Sequence, residues 1–163
     1  MKNRKEPNHF DESQMSQEEV DGLVNNALRK LVRKDLMLLR LDVNERSITH
    51  WIAFYLQQEF PDWNVDCEYN RHLDETKRLK LDPEDVKTND TMGRTVYPDV
   101  IVHKRNTDEN LLVVEVKKST STIDDSKDII KLDAFKQQLR YQHALFLKIL
   151  TDSDSTSFEK QWR

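Results

Sequence analysis

The stretch Tyr97-Pro98-Asp99-Val100-Ile101-Val102-His103, followed past a polar turn by Leu111-Leu112-Val113-Val114-Glu115-Val116-Lys117-Lys118, decides the fold. Both runs have the apolar, β-branched composition of strands, yet each carries charge. Side chains alternate across a strand, so Asp99 shares a face with Ile101 and His103, while Glu115 and Lys117 share one with Leu111 and Val113. Laid side by side, the two runs bring two carboxylates and one ammonium to one end of a small sheet. Val113-Val114-Glu115-Val116 is apolar on both faces around the glutamate, which predicts burial on both sides. The competing reading is an ordinary hairpin of strands 98–104 and 111–118 whose charges decorate a solvated face. Buried carboxylates require a partner cation or a bound metal. Two oxygen ligands beside a lysine suit Mg²⁺ and phosphate chemistry.

Working outward, Asn44 is a good N-cap for a helix from Glu45 to about Phe60, closed by Pro61, with Ile48, Ile52 and Leu56 as its buried stripe. At 100° per residue Glu45 falls within that stripe, where it either serves a site or complements the helix dipole and reaches water. Ahead of it, Ser16 and Glu19 form a capping box for a helix from about Gln17 to near Arg40, with Val20, Leu23, Val24, Ala27, Leu28 and Leu31 at helical spacing. The outer face of that helix carries Arg29, Lys30, Arg33 and Lys34, either a solvated face or a contact for a nucleic-acid backbone. Trp63 to Tyr69 alternates like a strand buried on one face and predicts a buried Cys67 thiol. Residues 70–97 lack periodicity and are rich in charge, including Arg78, Lys80 and Arg94. A connection of this length is either a substrate-contacting loop or a surface insertion. Downstream, a helix is predicted from about Asp125 to Tyr141, with Ile129, Leu132, Phe135 and Leu139 inward, then a strand from Ala144 to Leu150. Residues 1–15 read as a flexible segment, and 151–163 as a polar, loose tail.

At 163 residues and 36% hydrophobic content the chain suits one domain, here 16–150, with a real core. Lys and Arg total 26 against 30 Asp and Glu, a formal charge of −4, which argues against coating nucleic acid by bulk attraction but leaves room for a local basic groove. The single cysteine excludes an internal disulfide framework and suits a reducing, cytoplasmic setting. No apolar stretch approaches the roughly 18 residues of a membrane span. Two glycines in the whole chain exclude a glycine-rich phosphate loop, and with it a nucleotide cofactor.

A Pro-Asp leading into one strand, Pro98-Asp99, and Glu-x-Lys in the next, Glu115-Val116-Lys117, resembles the PD-(D/E)xK nuclease superfamily. The resemblance spans residues from about Glu45 to Leu150. It implies an α/β fold with an αβββαβ restriction-endonuclease-like core, a mixed central sheet flanked by helices. It also implies Mg²⁺, with Mn²⁺ as a substitute, held by Asp99, Glu115, the carbonyl of Val116 and Glu45. Lys117 would orient or help deprotonate the attacking water. DNA is the implied substrate, with Arg78, Lys80, Arg94 and His103 as candidate contacts and a homodimer as a route to two-strand cleavage. His103 reads more readily as a core or rim histidine than as a substrate contact. Fold does not fix function, so an inactive regulatory nucleic-acid-binding module, or a nuclease subunit of a larger defence or repair complex, stands beside this expectation.

Overall fold

Ser16 starts the first helix as its sequence demands: its Oγ accepts from the Glu19 N–H at 3.2 Å, and Glu19 Oε2 accepts from the Ser16 N–H at 2.7 Å. A computed structural model describes residues 14–69, 71–72, 75–76, 78–79, 94–95, 97–151 and 155–163. Helix α1 (Gln17–Arg40) buries Val20, Val24, Ala27, Leu28 and Leu31 and is kinked at Asp35. There the Tyr55 hydroxyl donates to the Asp35 carboxylate. Asn44 then caps α2 (Glu45–Glu59), its Oδ1 accepting from the Arg46 N–H at 2.8 Å. The two helices pack as an antiparallel hairpin and bury Ile48, Ile52 and Leu56 against the sheet.

Strand β1 (Asn64–Cys67) is followed by two short ribbons, β2 (Arg71–His72) with β3 (Glu75–Thr76) and β4 (Arg78–Leu79) with β5 (Arg94–Thr95). Next come β6 (Val100–His103), β7 (Asn110–Lys118), α3 (Ser126–Leu139), β8 (His143–Thr151) and β9 (Thr156–Trp162). The main sheet is mixed, in the order β1-β6-β7-β8-β9, with β7 and β8 parallel and every other pair antiparallel. That parallel pair needs a crossover, which α3 supplies. β7 is the central strand, and its apolar positions are buried on both faces as its composition predicts. Val114 and Val116 pack toward α1 and α2, whereas Val113 and Ile101 pack with Leu132 and Phe135 of α3. The chain is thus an α/β domain of three helices and a five-stranded mixed sheet among the described residues, and none of those helices is long and apolar enough to cross a membrane.

Several expectations need correction. The segment after Leu150 is no loose tail: β8 runs on to Thr151, and β9 pairs with it from Leu145↔Trp162 to Thr151↔Thr156. Phe158 and Trp162 pack on the core, Lys160 pairs with Asp21, and Arg163 grips Asp133 of α3 at 2.8 and 2.9 Å. At the other end Met15 packs on the same core, and its carbonyl accepts from His143 Nε2 at 2.8 Å; residues 1–13 of the flexible segment expected over 1–15 lie outside the described residues. Cys67 is exposed rather than buried, because β1 ends there at a sheet edge with Glu68 at φ 48° beside it. Even so, burial of the sulfur and the neighbouring Asp66, Glu68 and Asp99 push its thiol up to about 11.

Candidate functional site

β6 and β7 place the charged residues. Their register pairs Val100 with Val114 and Ile101 with Val113, so Asp99, one residue ahead of β6, comes level with Glu115. Asp99 is pinned by the backbone: its Oδ2 accepts from the Val116 N–H at 2.7 Å. Asp99 and Glu115 stand close enough for the charge of Asp99 to act on the Glu115 carboxyl. Glu115 is 2% exposed, and its Oε1 has no N–H or O–H donor within reach. Burial pushes the Glu115 carboxyl well above the usual carboxylate range, and the Asp99 charge adds to the rise while Lys131 works against it. Asp99 is raised as well, by burial first, with Glu45 contributing and the Val116 N–H and Lys131 opposing.

Lys117 lies one alternation further along the same face of β7, 5% exposed, with its Nζ 2.7 Å from Asp128 Oδ2 on α3. From the same helix Lys131 reaches Glu115 Oε2 at 2.6 Å and the Tyr97 carbonyl at 3.2 Å. Burial would lower the Lys131 pKa, but Glu115, Asp99 and Asp128 outweigh it and hold the ammonium charged. Glu45 approaches from the other side. As the first residue of α2 it accepts from the Lys118 N–H at 3.1 Å, at the end of β7. Lys118 itself turns away to the α1–α2 turn, donating to the carbonyls of Asp42 and Val43 and pairing with Asp42.

Asp99, Glu115, Val116 and Lys117 therefore stand together, with Glu45 at the margin. Among the described residues no three His, Cys, Asp or Glu side chains stand close enough together to hold a metal ion. The oxygens that could join in binding a hard cation are those of the Asp99 and Glu115 pair, the Val116 carbonyl, and Glu45 were it to leave the Lys118 N–H. The residues do fit such an ion in one respect: a buried carboxylate oxygen lacking a donor is the group that a cation satisfies.

His103 does not join the cluster. It occupies the far end of β6, roughly 13 Å along the strand from Asp99, with its Nε2 2.8 Å from Asp66 Oδ2 and its ring tilted against Tyr69. Arg105 clamps the same Asp66 through two nitrogens, a structural ion-pair network that holds Asp66 below the usual carboxylate range against the opposing effect of burial. Arg78 and Arg94 fall on β4 and β5, and β4 runs beside α3. Lys80 lies outside the described residues.

Asp128 and Lys131 are the members that the sequence reading passed over. Their signal was present: Asp128 precedes Leu132 by four residues and Phe135 by seven, so it lies on the buried stripe of α3, and Lys131 stands one turn ahead of Phe135. Charged residues on an inward helix face above a strand bearing Glu and Lys predict a shared site. No family model, curated protein or solved structure matches the chain.

Proposed function

We propose that this protein is a metal-dependent nuclease, hydrolysing phosphodiester bonds in DNA on an αβββαβ restriction-endonuclease-like core. One observation carries the reading: two carboxyls and an amine meet at one end of adjacent strands, and one buried carboxylate oxygen there has no donor. The chain order α2, β1, β6, β7, α3 and β8, with β2 to β5 inserted between β1 and β6, supports that reading. Mg²⁺ or Mn²⁺ held by Asp99, Glu115, the Val116 carbonyl and Glu45 would supply the positive charge that offsets the anionic phosphate and acidifies the attacking water. Lys117 would orient that water, with Asp128 holding its Nζ in place at 2.7 Å. Asp99 is kept in place by the Val116 N–H, so the acid does not depend on solvent for its orientation. Lys131 pairs with Glu115 Oε2 and donates to the Tyr97 carbonyl, so it would compete with a bound cation for that oxygen.

The test is incubation with plasmid and single-stranded DNA in Mg²⁺ or Mn²⁺, with EDTA and Lys117→Ala as controls. Cleavage that needs the metal and falls about a hundredfold or more in the variant is the expected result. A second reading has its own support. Because Lys131 and Asp128 already pair with Glu115 and Lys117, the cluster is also able to serve as an internal ion-pair network of a regulatory nucleic-acid-binding module. DNA binding without cleavage in any divalent metal decides for that second reading.

A further inference from the structure

The charged face of α1 takes no part in the cluster above, yet it borders a formed groove. Between α1 and the edge strand β9 lies a cavity of about 360 Å³ with Leu28, Val32 and Phe158 as an apolar floor and Arg29, Arg33 and Lys160 on its rim. A second cavity, about 430 Å³, adjoins it through the same two arginines and continues past Lys30 to Glu59. The cations are unequally committed. Lys160 pairs with Asp21, and Lys30 with Glu59 at 2.6 Å. Among the described residues Arg29 donates to the neutral Asn26 alone, at 2.9 Å, and Arg33 has no carboxylate within salt-bridging distance. Two uncompensated guanidinium groups thus stand one helical turn apart, about 6 Å along the axis, above apolar carbon.

We infer that this groove binds an extended single strand of nucleic acid, with successive phosphates on Arg29 and Arg33 and a base laid against Phe158, Leu28 and Val32. The inference rests on the proposed nuclease activity and names the form of its substrate. Uncompensated guanidinium at that spacing suits a phosphodiester chain, and an apolar floor with an aromatic ring suits an unpaired base. A duplex would leave that floor empty, since its bases face one another. Phe158 pairs with Ile149, and Ile149 with Lys118, so the groove lies level with the C-terminal end of β7, on the sheet face that packs on α1 and α2 rather than on the α3 face that carries Glu115 and Lys117. Two strand spacings, about 10 Å, separate them.

The experiment is fluorescence anisotropy of a labelled oligothymidylate with the full chain in EDTA, where no cleavage intervenes. Arg29→Glu with Arg33→Glu should weaken binding about tenfold or more and reduce the salt slope by about 1.4, the share of two phosphates on a single strand. Phe158→Ala should weaken it about fivefold or more. Arg29→Gln with Arg33→Gln, at exposed positions, keeps the test readable if the reversed charges disturb folding. Binding unaffected by either arginine pair overturns the inference. So does equal affinity for a duplex, for an abasic phosphate chain or for an acidic peptide. Failure of the two ideas is distinguishable: groove binding without cleavage in any metal sinks the nuclease and keeps the groove. Conversely, cleavage of single strands undiminished by the arginine variants sinks the groove alone.

Discussion

At Glu115 a single buried carboxyl meets an acid, Asp99, and an amine, Lys131, and its ionisation is therefore coupled to stability and, on the proposed function, to metal binding. Its folded-state pKa, like that of Asp99, is raised, so the folded chain holds protons that the unfolded chain releases. The stability from these groups is fully present below the ordinary carboxylate pKa and is lost as pH rises through the raised values. Urea titrations from pH 4.5 to 8 should show the midpoint of the metal-free protein falling, and Glu115→Gln should flatten that fall. An unchanged slope in the variant would mean that Glu115 ionises normally. A divalent cation at the proposed site would reverse the balance, because it needs both carboxylates deprotonated. Mg²⁺ binding should release protons and tighten with pH, which calorimetry in buffers of different ionisation enthalpy reads directly.

Among elements, α3 does more than bridge β7 and β8: it brings Asp128 and Lys131 onto the charged face of β7. Lys131→Met removes the cation that pairs with Glu115, and losing one partner of a buried pair costs about 3–5 kcal/mol when the other stays charged. Protonation of Glu115 will absorb part of that cost. The expected outcome is a lowered melting temperature without metal that added Mg²⁺ restores, and a loss insensitive to Mg²⁺ counts against a cation site. In the α1–α2 hairpin, Tyr55→Phe leaves Asp35 without its hydroxyl donor and should cost about 1–3 kcal/mol in chemical denaturation. The helices and central strands were legible in the sequence because capping residues and apolar period coincide there, as at Ser16 with Glu19 and at Asn44 with Ile48 and Ile52. The pairing of Asp99 with Glu115 was legible for the same reason, since alternation fixes the face once two strands are adjacent. Lys131 was not: a lysine beside a helical stripe reads as solvated until the strand beneath it is known to carry an acid. Strand β9 was hidden in its composition, with polar residues between Phe158 and Trp162 and partners over a hundred residues away.

For the whole molecule, β9 is the strand that covers β8. Truncation after Thr151 would leave β8, nearly continuous in apolar residues, as an open edge and would strip Phe158 and Trp162 from the core. The shortened chain should aggregate or elute as large species in size-exclusion chromatography, whereas a soluble monomer with native circular dichroism would show that β9 is dispensable. The strand also ties the two ends of the chain together: Trp162 Nε1 donates to Asp21 Oδ1 across 141 residues of sequence, and Lys160 meets the same carboxylate. A connection between such distant positions closes late, after the local hairpins have formed. A nascent chain still threaded through the ribosome at Trp162 therefore cannot complete its sheet, although Asp99, Glu115 and the α3 residues that surround them have already been translated.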